Sequence, residues 1–163
     1  MSAFALDRHP LAGFDLRPLV PAEAADTARA LVALDPWRTL GFSAEALQRY
    51  LGRDDPGLSR FMADCGDWPA GVLAVRRPWL RGAYIELLAV FPDQQGRGMG
   101  KTMLDWACGQ AKAAGETNLW ACVSDFNTPA RAFYARQGFT EVAPLPDLVS
   151  PGRAEILLRK RVE

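Results

Sequence analysis

The residues Gln95-Gly96-Arg97-Gly98-Met99-Gly100-Lys101 carry the clearest chemistry in the chain. They follow an apolar run at residues 84–91, YIELLAVF, too short for a membrane span and the right length for one buried strand. Pro92 ends that strand because it has no N–H to donate to a ladder. From Met99 onward small and apolar residues recur at helical spacing. Strand, glycine-rich turn and helix in this order leave backbone N–H groups unpaired at a helix N-terminus, where the helix dipole also favours an anion. Gly96, Gly98 and Gly100 let a ligand approach the backbone, and Arg97 and Lys101 supply charges that either touch phosphates or stay solvated.

Three phosphate-binding patterns compete for the loop. The Walker pattern fits at Gly100-Lys101-Thr102 but has Gln95 where its first glycine belongs. The dinucleotide fingerprint fails because the third glycine falls one residue early. The pattern Gln-x-x-Gly-x-Gly is met in full by Gln95, Gly98 and Gly100. A glycine-rich surface turn without a ligand is the plain alternative.

Glu86 is the other chemical signal. A carboxylate inside a buried strand needs a partner or a use. Counting by twos places it on one side with Tyr84, Leu88 and Val90. It either pairs with an arginine such as Arg76 or Arg81, or takes a proton from a substrate; both readings stand on the sequence.

Other chemistries are excluded. The one histidine is His9, near the chain start, which leaves no Ser-His-Asp or Cys-His site and no zinc ligand set. Cys65, Cys108 and Cys122 form no C-x-x-C pair and read as reduced, buried thiols. Lys+Arg and Asp+Glu stand at 19 each, so no net field draws the 163-residue chain to nucleic acid or anionic membranes. With no secretion signal and no apolar run of membrane length, a cytoplasmic location is expected.

Gln95-x-x-Gly98-x-Gly100, followed by Asn127-x-x-Ala130-x-x-Phe133-Tyr134 and Gly138-Phe139, resembles the GNAT superfamily of acyl-CoA-dependent N-acyltransferases. The resemblance runs from about Tyr84 to Phe139. It implies acetyl-CoA as co-substrate, no metal, and a pantetheine arm lying between two splayed parallel strands. It also implies backbone contacts from Leu88 and Val90, pyrophosphate on residues 95–101, a hydrogen bond from Asn127, and Tyr134 facing the sulfur. In many relatives an acidic residue on the strand of Glu86 activates the amine; Asp125 is a secondary candidate, or orders the loop before Asn127.

The elements that must position these residues are legible in order. A strand is predicted over residues 14–20, a helix from Pro21 to about Leu34, and a helix from Ser43 to Gly52. Strands at residues 58–65 and 70–76 form a hairpin through Gly66-Asp67-Trp68-Pro69. After the loop come a helix ending at Gly115 and a strand at residues 118–123, making a β-α-β unit with a parallel pair. A helix capped by Asn127 or Thr128 follows, then strands at residues 139–142 and 155–158 joined by a proline-rich loop. The fold expected is one α+β (α/β) GNAT-like domain over residues 1–163, with a mixed, mostly antiparallel sheet and about four helices. Trp37, Phe42 and Tyr50 either line an acceptor pocket or pack helices on the sheet, and Arg159-Lys160-Arg161 reads as a solvated strand end.

The leading expectation is an N-acetyltransferase acting on a small-molecule or peptide amine. A non-catalytic acyl-CoA-binding module is the alternative. Neither nucleic acid nor a membrane is an expected partner, and the sequence allows a homodimer.

Overall fold

The computed structural model describes residues 3–162. Its strands are β1 (His9–Leu11), β2 (Phe14–Pro18), β3 (Leu58–Cys65), β4 (Trp68–Trp79), β5 (Gly82–Val90), β6 (Asn118–Ser124), β7 (Thr140–Pro146) and β8 (Ala154–Arg161). They form one sheet in the order β1-β2-β3-β4-β5-β6-β8-β7. Only β5 and β6 run parallel; every other neighbouring pair is antiparallel. Helices α1 (Ala24–Val32), α2 (Trp37–Leu40), α3 (Ala44–Gly52), α4 (Met99–Ala113) and α5 (Thr128–Arg136) cover the sheet. The mixed sheet with one parallel pair is the expected architecture.

Each face of the sheet has its own core. Met103, Leu104, Ala107 and Ala111 of α4 form the buried stripe of a 3.6-residue repeat and pack with Phe61, Leu73 and Leu119. On the opposite face Ala28, Leu31, Leu47 and Leu51 of α1 and α3 pack against Met62, Val72 and Leu87. Full burial of such aliphatic side chains is worth roughly 1.5–3 kcal/mol each. No helix among the described residues is long and apolar enough to cross a membrane.

Several boundaries differ from the sequence expectation. The helix expected from Pro21 opens instead with a 3-10 turn, Pro21–Glu23, where the Glu23 carboxylate accepts from the Val20 N–H at 3.1 Å. The four-residue α2, closed by Gly41 in the left-handed region, was not foreseen and makes the helices five. Strand β4 reaches past Pro69 and Pro78, because both lie beside register shifts where a ladder donor is not needed. Ala143–Pro146 of the expected loop belong to β7, an edge strand that tolerates Pro144 and Pro146, so the flap shrinks to residues 147–153. His9 is not in a loose terminus: it lies in β1, donates a ring N–H to the Ala5 carbonyl at 2.9 Å, and packs on Trp106 with centroids 5.0 Å apart.

Two features of β5 shape the site. Its pairing with β6 runs only from Gly82↔Asn118 to Ile85↔Ala121. Beyond that point β5 stays on β4 as far as Val90↔Gly71, while β6 stays on β8 as far as Ser124↔Glu155. The sheet therefore splits between them. The register also slips, with Ala74 opposite Leu87 and Val75 opposite Ile85, so Glu86 is the extra residue of a bulge. The bulge reverses the parity assumed from the sequence. Ile85, Leu88 and Val90 belong to the core under α4, whereas Leu87 and Ala89 belong to the core under α1 and α3.

Candidate active site

A cleft of about 880 Å³ occupies the split between β5 and β6. Its floor is the β5 stretch 84–90 together with Cys122, Val123 and Ser124 of β6. At one end stands the start of α4, with Gly98, Met99, Gly100 and Lys101 in the wall. Gly98 has φ +80 and is the residue before the helix, a left-handed conformation that favours glycine. Its carbonyl takes the Thr102 N–H at 3.0 Å, so the amides of Met99, Gly100 and Lys101 precede the first intrahelical bond. A Cβ on Gly100 would lie 3.2 Å from Phe133 Cζ and 3.8 Å from Val90 Cγ2, so any larger residue there must push the Phe133 ring aside. These amides are unpaired donors of the kind that receives an anion at a helix N-terminus.

The remaining loop residues divide. Gln95 and Gly96 line the cleft; the Gln95 side chain donates to the Val90 carbonyl at 2.9 Å and so ties the loop to the end of β5. Lys101 is exposed and pairs with Asp105 one turn on. Arg97 does not line the cleft; its nearest bond is to Gln94 Oε1 at 3.4 Å.

In the middle, Leu88 and Val90 present a β5 edge left without a β6 partner. Asn127 lines the same stretch, but its side-chain oxygen caps α5 by accepting from the Ala130 N–H at 3.3 Å. Tyr134 projects from α5, is 8% exposed, and is wedged between Phe133 and Phe139 with ring centroids 5.4 and 5.1 Å away. Burial pushes its phenol well above the usual range, and the nearby Cys122 adds to this, so the hydroxyl stays protonated.

The far end has carboxylates. Both oxygens of Glu86 meet Arg76, at 2.5 Å to Nε and 3.3 Å to Nη2, and the same guanidinium bonds Asp55 at 3.0 Å. Of the two arginines named from sequence, Arg76 is thus the partner. Trp37 and Phe42 line the cleft, whereas Tyr50 packs beneath α3, its ring under the guanidiniums of Arg53 and Arg60 at 5.6 and 5.5 Å. Asp125 orders the loop: its carboxylate accepts from the Ala154 N–H at 3.1 Å. Cys122 is half-buried in the cleft wall, and burial raises its thiol.

Sequence reasoning missed Ser124 and Glu155. Ser124 Oγ donates to Glu155 Oε1 at 2.6 Å, both groups are buried, and both line the cleft. The only signal was a carboxylate opening an otherwise apolar strand, EILL, and the antiparallel β6–β8 register makes the pair.

Residues 25–139 match the acetyltransferase (GNAT) family. The chain belongs to that family. It is 36% identical over 92 residues to a mycothiol acetyltransferase of Beutenbergia cavernae, covering 55% of this chain and 30% of that one. It is 35% identical over 71 residues to a streptothricin acetyltransferase of Streptomyces lavendulae, covering 43% and 38%. The chain thus spans about a third of the length of these curated relatives. An acetyltransferase structure from Thermus thermophilus is 27% identical with a TM-score of 0.72, over 91% of this chain and 96% of that one.

Proposed function

We propose that this GNAT acetyltransferase moves the acetyl group of acetyl-CoA to a primary amine by direct attack, with Tyr134 donating to the departing sulfur. The observation that carries this reading is the convergence, in one cleft, of the first-turn amides of α4, the unpaired edge of β5 and the buried phenol of Tyr134. The diphosphate rests on the amides of residues 98–101, the pantetheine arm follows Leu88 and Val90, and the thioester reaches Tyr134. An ordinary phenol at pKa ~10 and an ordinary thiol at ~8.5 make full proton transfer uphill by roughly 2 kcal/mol. Burial raises the phenol further, so Tyr134 acts mainly as a hydrogen-bond donor that strengthens as charge grows on sulfur. Glu86, with both oxygens on Arg76, holds the bulge and shapes the acceptor end. Trp37 and Phe42 on one side and Leu148 and Val149 on the other bound that end. Two relatives named for mycothiol and streptothricin support a small-molecule acceptor over a polypeptide.

Thiol release from acetyl-CoA, followed across a panel of small amines and peptides, tests the proposal. Amine-dependent release above background hydrolysis is expected. Binding of acetyl-CoA without such release for any amine would favour a non-catalytic module instead.

A further inference from the structure

An attacking amine arrives as an ammonium and must lose a proton before its lone pair can reach a carbonyl carbon. Glu86 is poorly suited to take it, because a guanidinium already occupies both of its oxygens. Glu155 shares the cleft but not the cation. It is 8% exposed, it lines the cleft, and among the described residues no cation pairs with it. Its one bond comes from Ser124 Oγ, which occupies Oε1 and leaves Oε2 for another donor. It lies on β8 opposite Ser124, three residues beyond the last β6 residue that pairs with β5, and it lines the cleft there.

We infer that Glu155, held by Ser124 at the open end of the cleft, takes the proton from the acceptor's ammonium. This rests on the acetyl-transfer reading above. One N–H bond of the ammonium breaks and its proton passes to a Glu155 oxygen. The freed lone pair attacks the thioester carbonyl carbon, and the C–S bond breaks with its electron pair going to sulfur. The departing sulfur accepts a hydrogen bond from the Tyr134 hydroxyl and takes the second proton lost by the nitrogen, leaving the phenol as it was. Glu155 then releases its proton to water, so one proton leaves per turnover.

The surroundings of Glu155 make it a better proton acceptor than an exposed carboxylate. Burial raises its carboxyl above the usual range, the Ser124 hydrogen bond offsets part of this, and Asp125 adds to the rise. Cys122, Tyr134 and Glu155 line the same cleft. On β7 the residue opposite Glu155 is Leu145. The nearby guanidiniums are engaged elsewhere: Arg153 lies over the Phe126 ring at 4.7 Å, and Arg131 bonds the Asp125 carbonyl and Glu141.

The test is the pH dependence of acetyl transfer by wild type, Glu155→Gln and Ser124→Ala on an amine found active with the wild type. Glu155→Gln should lower kcat/KM at pH 7 by roughly 10²–10⁴ and replace the acid-side fall set by the carboxyl with one that follows the acceptor amine's own titration. The same variant should regain most of its rate with an acceptor of low pKa, already neutral at pH 7, and should keep the acetyl-CoA-induced rise in Tm. Ser124→Ala removes the bond that lowers the Glu155 carboxyl, so its acid-side fall should move to higher pH. Wild-type rates and an unchanged acid-side fall in Glu155→Gln would overturn the assignment while leaving acetyl transfer standing. A Ser124→Ala profile identical to wild type would overturn it as well. A wild type inactive on every amine would remove the acetyl-transfer reading itself, and this assignment with it.

Discussion

Gly82 opens the parallel ladder that closes one end of the cleft, and the strands there are too close for any side chain. A Cβ built on Gly82 would sit 2.1 Å from the Asn118 carbonyl oxygen and 2.8 Å from its carbon. Ordinary carbon–oxygen contacts between strands are about 3.3–3.6 Å, so Gly82→Ala must drive the backbones apart by more than about 1 Å. A hydrogen bond of about 2.9 Å does not survive that displacement, since ~3.5 Å is its outer limit. Losing one such bond costs about 1 kcal/mol, and overpacking adds typically 1–3 kcal/mol. Gly82→Ala should therefore destabilise the fold by about 2–4 kcal/mol, read as a lower urea midpoint at unchanged m-value. Gly109 in α4 is the control, exposed and with nothing within 4 Å of its added Cβ. Gly109→Ala should gain up to about 1 kcal/mol from helix propensity. A Gly82→Ala protein within about 0.5 kcal/mol of wild type, the scatter of ordinary surface substitutions, would refute the close approach, and with it the geometry assigned to the parallel pair.

Further outcomes follow from the same contacts. Gly100→Ala should leave stability within about 1 kcal/mol, helix propensity offsetting the squeeze on Phe133, yet weaken acetyl-CoA several-fold in a titration. Arg76→Leu leaves Glu86 and Asp55 facing one another without their cation and should cost about 1–3 kcal/mol in a urea melt, between the values for surface and buried pairs. Arg17 bridges Glu23 at 2.6 Å and Asp64 at 2.5 Å, and its bond holds the Glu23 carboxyl below the usual range. A lowered acid stabilises the fold above its unfolded pKa of about 4.3 and loses that contribution as pH falls, so Arg17→Met should narrow its stability gap from wild type in melts below pH ~4. For Glu155 the sign is opposite: a raised carboxyl costs stability as pH rises past its unfolded value, so Glu155→Gln should melt higher than wild type at pH 7 and equal to it near pH ~4.

The glycine loop was legible because its chemistry is local: three glycines, a strand end and a helix start lie within a few residues of one another. The elements with strong periodicity, such as α4 and β3, were legible for the same reason. What escaped the sequence depends on pairing across distance. The bulge at Glu86 is set by how β5 meets β4, and nothing between residues 84 and 91 announces it. The Ser124–Glu155 pair joins residues 31 apart in the chain and exists only through the β6–β8 register. Pro144 and Pro146 read as loop because proline usually breaks a strand, and only the edge position of β7 makes them admissible. Helix α2 is four residues long, too short for a hydrophobic period to register. The two aromatics before α3 were separable from Tyr50 only once α3 was seen to turn Tyr50 inward.

The most direct measurement of acetyl transfer at Tyr134 is a single-turnover experiment with acetyl-CoA bound and amine in excess, comparing wild type with Tyr134→Phe. The variant keeps the ring between Phe133 and Phe139 and removes only the hydroxyl. The rate of thiol release should fall by roughly 10²–10³ while acetyl-CoA affinity stays within about twofold of wild type. Equal rates in the two proteins would contradict the role assigned to the phenol.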